Sequence, residues 1–145
     1  MTNISITFNL DSSDYTAQLA FEVSLNNTVV FATDHVTAPI TVTVPVSDNN
    51  DAQHELKFVL KNKTQEHTKI DEQGNIVSDA MLSISNIEFD EIKLGHMFFE
   101  QAVYHHDMNG SQDPVEDKFY GDMGCNGYVS LKFATPIYMW LLETM

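Results

Sequence analysis

A strict alternation of apolar and polar side chains sets the tightest limit on how this chain can fold. Ile4, Ile6, Phe8 and Leu10 are separated by Ser5, Thr7 and Asn9. Tyr15, Ala17, Leu19, Phe21, Val23 and Leu25 face away from Thr16, Gln18, Glu22 and Ser24, with Ala20 the single apolar residue in the second set. Ile40, Val42, Val44 and Val46 alternate with Thr41, Thr43 and Pro45, and His54, Leu56, Phe58 and Leu60 form another such row. A period of two lines one face of a pleated strand, whereas a helix would scatter the same residues around its circumference. The pattern predicts an all-β chain, an antiparallel β-sandwich or jelly roll of eight or nine short strands. At 145 residues, 43% of them hydrophobic, one core and one domain spanning 1–145 are expected.

The punctuation between rows refines this. Asp11-Ser12-Ser13-Asp14 and Asn26-Asn27 are turn sequences, which predicts antiparallel pairing of the first strand with the second and of the second with the third. Pro45 cannot donate a ladder hydrogen bond, so its strand belongs at an edge or a bulge. After Ala80 the apolar phase runs Leu82, Ile84, then Ile87, Phe89, then Ile92, Leu94. It slips at Ser85-Asn86 and at Asp90-Glu91, predicting bulges or a bend through which the strand could pass from one sheet to the other. Residues 97–104 read as a strand of mixed phase, 105–126 as a long Gly- and Asp-bearing loop, and 128–133 as the last strand. In the tail, Thr135 suits a helix cap and Pro136 its first position. Ile137, Trp140 and Leu141 then share one face of a short C-terminal helix, to dock on its own sheet or on a second subunit, and are the candidate assembly contacts.

Charge narrows the partners. Seven lysines, no arginine and twenty-one acids give a net charge of −14. That balance excludes a phosphate-reading surface, and with it nucleic acid, and disfavours anionic membranes. No apolar run reaches the ~18 residues of a membrane span, and MTNISITFNL lacks the basic flank and long apolar stretch of a signal peptide. Cys125 is the sole cysteine, so neither an intrachain disulfide nor a Cys-rich zinc site is expected.

The candidate chemistry lies in the loops. Asp71, Glu72 and Asp79 in one, and Asp107, Asp113 and Asp117 in the other, are oxygen donors of the kind Ca²⁺ takes, although the EF-hand spacing is absent; solvated surface charge is the competing reading. His105 and His106 are adjacent, so on a strand they point to opposite faces and cannot share an ion. No H-E-x-x-H, G-x-S-x-G or phosphate-cradling loop occurs, so no catalytic residue is assigned and no enzyme activity is expected. Tyr104, Phe119, Tyr120 and Tyr128 flank or lie in the Gly-rich loop, where an aromatic face could stack on a sugar ring or could pin the loop to the sandwich.

Two stretches carry resemblances. HELKFVLKNKT with IDEQGNIVSDAMLSISNIEFDEIKL, and the ending FYGDMGCNGYVSLKFATPIYMWLLETM, resemble a pattern in virion proteins of marine tailed phages, chiefly cyanophages. That resemblance implies a non-catalytic structural or adhesion module of the tail, baseplate, fibre or capsid decoration, located in the virion. Its implied partners are other virion proteins, copies of itself or a host-surface glycan. The first stretch also resembles the Ca²⁺-dependent carbohydrate-binding modules found beside xylanases, an alternative reading that implies Ca²⁺ held by Asp71 and Asp79. The Asp-Arg-Asn that follows the second acid in those modules is here Asp79-Ala80-Met81.

Overall fold

The computed structural model describes residues 3–17, 19–47, 51–61, 68–106, 113, 115–124 and 126–144. Asp107 and Cys125 lie outside the described residues. Two antiparallel sheets face one another. The smaller has the order β12-β8-β1-β4, formed by Asp122–Met123, Leu82–Phe89, Asn3–Ser12 and Ile40–Ser47, with the short β9 (Ile92–Lys93) paired back onto β8. The larger has the order β11-β10-β13-β5-β2-β3, formed by Val115–Lys118, Val103–His106, Gly127–Thr135, Ala52–Lys61, Ala20–Leu25 and Thr28–Thr33. A separate hairpin pairs β6 (Thr68–Ile70) with β7 (Ile76–Asp79). Every strand pair is antiparallel, as the alternation predicts.

The alternating rows are the core. Ile4, Ile6, Phe8 and Leu10 on β1 and Val42, Val44 and Val46 on β4 are buried, and they meet Leu56, Phe58 and Leu60 of β5 and Val129, Leu131 and Phe133 of β13. Aromatic rings bridge the layers: Phe8 lies edge-on to Phe58 with centroids 5.0 Å apart, and Phe89 edge-on to Phe133 at 5.0 Å. This is the T-shaped arrangement that ring quadrupoles favour. Pro45 sits on β4, an edge strand, where its missing N–H costs no ladder bond.

Turn chemistry explains what holds and what does not. Asn26 and Asn27, at φ 52° and 69°, form the tight reversal between β2 and β3. The first two strands do not pair, contrary to the sequence expectation. Asp14 Oδ1 accepts from the Thr16 N–H (2.9 Å) and hydroxyl (2.6 Å), winding Tyr15–Ala17 into a 3-10 turn that carries the chain across to the other sheet. The strand therefore starts at Ala20.

Both phase slips are real. Asn86 (φ 52°) bulges where Asn9 faces Ser85 and Thr7 faces Glu88, leaving two residues of β8 opposite one of β1. Asp90 and Glu91 (φ 51° and 68°) are a hairpin turn, so the chain doubles back as β9 and does not cross between sheets. Residues expected as a mixed-phase strand form α1 (His96–Gln101), entered through Gly95 at φ 57°. Mixed phase was the trace of a helical period: Met97 and Phe98 are buried, and Phe98 reaches Phe58 and Phe119 at 6.0 and 5.5 Å. The 105–126 loop contains two strands, β11 and β12.

The tail is α2 (Ile137–Thr144) and docks on its own sandwich. Ile137 and Leu141 are buried, and Trp140 stacks on Phe89 with centroids 5.6 Å apart and meets Phe133 edge-on at 6.1 Å. Ile137 and Leu141 therefore belong to the core, Trp140 packs half-buried against it, and the helix leaves Tyr138, Met139 and Leu142 exposed. Thr135 ends β13 and turns its hydroxyl to His54 Nε2 (3.2 Å). His54 is held further by Asn26 (2.9 Å) and by stacking on Phe133. No helix among the described residues is long and apolar enough to cross a membrane.

Candidate functional site

The acid-bearing hairpin comes first, since Asp71 and Asp79 are its predicted metal ligands. Asp71 opens the tip. Its Oδ1 accepts from the backbone N–H of Asn75 (2.9 Å) and Gln73 (3.0 Å), and its Oδ2 from the Asn75 amide (3.5 Å). Those donors hold the carboxyl below its ordinary value, the Asn75 N–H contributing most. Asp79 lies at the other end of the hairpin, opposite Thr68. Three residues of strand separate that position from Asp71, about 10 Å at ~3.3 Å per residue. Two oxygens on one Ca²⁺ lie within about 5 Å of each other, a separation the two side chains would have to close from these backbone positions. Asp79 sits at the hairpin base, where its carbonyl accepts from Ser13 Oγ (2.9 Å) and a Cβ on Gly124 would lie 3.6 Å from its Oδ2.

Among the described residues the other loop acids do not complete a cage. Asp117 bonds His106 Nε2 at 2.5 Å, while Glu72 and Asp113 stand in solvent. Among the described residues no three carboxylates, imidazoles or thiols converge as a cation would need. The Asp71 carboxylate is turned onto the N–H groups of its own hairpin tip.

A pH prediction follows from Asp71. Its folded carboxyl is depressed, so its contribution to the turn is complete above the unfolded value, near 3.8, and is lost as pH falls through the lower folded one. In an NMR acid titration, the Gln73 and Asn75 amide shifts should move together with a midpoint below 3.8. A midpoint at or above that value contradicts the turn-holding role.

The predicted aromatics are split. Phe119 is fully buried and Tyr104 nearly so, edge-on to one another at 6.2 Å. They pin the β10–β11 corner to the core and offer no ring face to a ligand. Tyr120, the next residue along, points the other way; it is 73% exposed, with Lys118 Nζ 5.9 Å from its ring centre.

A constellation that the sequence did not assemble, although Tyr128 was among its candidate aromatics, lies on the outer face of the six-stranded sheet. Register places His105 of β10 beside Tyr128 of β13 and Glu116 of β11 beside His105. The His105 and Tyr128 rings stack at 4.5 Å, and His105 Nδ1 lies 3.6 Å from Glu116 Oε1. Further along, Ser130 donates to Glu55 Oε2 (2.6 Å), Lys57 Nζ is 3.7 Å from Glu55 Oε1, and the same ammonium stands 4.9 Å from the Tyr128 ring centre. Glu55, His105, Glu116, Tyr128 and Ser130 line an open hollow of about 420 Å³. Tyr128, Ser130 and Lys132 were legible as the polar phase of the last strand. Their partners were not, because nothing local shows that 103–106 and 115–118 pair.

The class the fold defines is an antiparallel two-sheet β-sandwich. Two solved structures share it over nearly the whole chain. One is the selenomethionine form of vCBM60, described in connection with a circular permutation linking two families of calcium-dependent carbohydrate-binding modules (TM-score 0.56, 17% identity, 90% of each chain covered). The other is vCBM60 in complex with galactobiose (TM-score 0.54, 16% identity, 88% of this chain and 96% of that one). At this identity the likeness is one of fold. No family model matches the chain, and no curated protein matches its sequence.

Proposed function

We propose that the chain is a non-catalytic glycan-binding module. The observation that carries this reading is the sandwich shared over nine-tenths of the chain with a module that holds galactobiose. The hollows on its surface support it: they are open and lined by mixed polar and aromatic groups, and the carboxylate best placed to act there, Glu116, is 72% exposed. Catalysis by paired carboxylates calls for a site that excludes water. Binding alone tolerates an open one.

A glycan array probed with the purified chain, with and without EDTA, tests the reading. Retention of at least one oligosaccharide, recovered intact after prolonged incubation, is the expected result. Silence across the array overturns binding, and cleavage of a retained glycan overturns the non-catalytic assignment. The virion location implied by the sequence resemblance would place such a module where host-surface glycans are met; its presence in purified particles is the corresponding test.

A further inference from the structure

We infer that the glycan lies along a groove across the outer face of the six-stranded sheet, held by Tyr128 and flanking carboxylates, that it is neutral, and that no metal takes part. The inference rests on the glycan-binding reading above.

Three hollows adjoin there. One of about 490 Å³ opens at the β10–β11 corner, one of about 420 Å³ lies over the middle strands, and one of about 450 Å³ ends at the Asn26–Asn27 turn. The first and second share His105, Glu116 and Tyr128; the second and third share Glu55 and Lys132. Together they follow β13 from Gly127 to Lys132, about 17 Å at ~3.3 Å per residue. That shape suits an extended chain of sugar rings better than a single compact ligand.

The chemistry along the groove matches a polyhydroxylated ligand. A sugar ring has one face of C–H groups and a rim of hydroxyls. The Tyr128 ring, braced on one side by His105, supplies the apolar surface. Glu116 and Glu55 accept hydroxyl protons, and Lys132 donates. Lys57 leans toward the same ring at 4.9 Å. Its flexible stem can swing aside for a ligand, while the stacked imidazole remains beneath the ring. The acidic and basic groups alternate, with Glu55 directly opposite Lys132 in register, so the groove has no concentrated positive field. With −14 on the whole chain, sulfated or uronic glycans are repelled and neutral ones admitted.

Independence from metal follows from the placement. The groove lies on the outer sheet face, and its lining includes neither Asp71 nor Asp79.

The test uses the whole chain and isothermal calorimetry. Its probes are galactobiose, the neutral oligosaccharides retained on the array, and sulfated counterparts of those oligosaccharides. Wild-type affinity should be the same in EDTA as without it, and sulfated counterparts should bind at least about tenfold more weakly. Tyr128→Ala should lower affinity by about tenfold or more, the scale of an aromatic anchor. Circular dichroism checks that this variant is folded. If it is not, Glu116→Gln, at an exposed position, carries the test with an expected loss of about threefold or more. Binding by folded Tyr128→Ala or Glu116→Gln within about twofold of wild type overturns the placement. Loss of wild-type binding in EDTA overturns metal independence, and preference for the sulfated probes overturns the ligand class. Silence of the wild type toward every probe overturns the glycan-binding reading itself.

Discussion

Phe58→Ala is expected to cost roughly 3–5 kcal/mol. Phe58 is fully buried on β5, the strand between β13 and β2 in the larger sheet. Its ring meets Phe8 of the opposite sheet at 5.0 Å, Phe98 of α1 at 6.0 Å and Phe21 of its own sheet at 6.5 Å. Truncation removes the apolar surface of one ring and leaves a cavity walled by three others. Each is anchored on a separate element, so the space cannot close by a single side-chain movement. Domains of this size hold about 5–15 kcal/mol in all and lose a few degrees of melting temperature per kcal/mol, so a fall of roughly 10–15 °C is expected. Urea titration should show a lowered midpoint with an unchanged slope. A loss below about 1 kcal/mol would mean that Phe58 does not bridge the layers.

Gly127→Ala acts through the backbone and ties the core to the groove. Gly127 starts β13 at φ 150°, in a region that a side chain rarely tolerates. A Cβ there would stand 2.2 Å from the carbonyl oxygen of His105 and 3.2 Å from the Cα of His106. Both obstacles are main chain, so no rotamer change relieves them, and β10 must part from β13. Strain and overpacking together are expected to cost roughly 2–5 kcal/mol. Gly95→Ala is the control: φ is also positive, but nothing lies within 4 Å, so about 1–2 kcal/mol is expected. Hydrogen exchange should show protection lost first at the amides of 103–106, and because His105 braces Tyr128, glycan binding should weaken with it. Equal stability of the Gly127 and Gly95 variants would show that the strands are not in the contact described.

Much of the architecture was legible in the residues. The rows beginning at Ile4, Ile40 and His54 are the strands that bury Phe8, Val44 and Phe58, and Asn26-Asn27 marks a true reversal. The slips at Ser85-Asn86 and Asp90-Glu91 are a bulge and a turn at those residues. Two readings failed for identifiable reasons. Tyr15 and Ala17 keep the alternating phase, yet Asp14 side-chain hydrogen bonds wind them into a 3-10 turn before β2 begins. Met97 and Phe98 break a period of two because they lie on a helix too short for its own period to stand out.

Site prediction fared differently, since it depended on which strands become neighbours. Acidic loops drew attention to Asp71 and Asp79, and the hairpin places one at its tip and the other at its base. Aromatics around the loop suggested Tyr104, Phe119, Tyr120 and Tyr128 as one group, and the strands sent Phe119 into the core, Tyr120 into solvent and Tyr128 onto the outer sheet face beside His105. Glu55, His105, Glu116 and Tyr128 come from four separate strands, and only the pairing of β10 with β11 and β13, and of β13 with β5, assembles them.

The residue order alone determined that this is a layered β protein, because burying one side of a pleated strand needs nothing beyond a period of two. It also determined the acidic character that turns phosphate and sulfate away. Which polar faces meet, and therefore where a ligand has a surface to grip, was decided only by tertiary pairing. Cross-strand neighbours are set by hydrogen-bond register between segments tens of residues apart, and that register leaves no mark on either segment by itself.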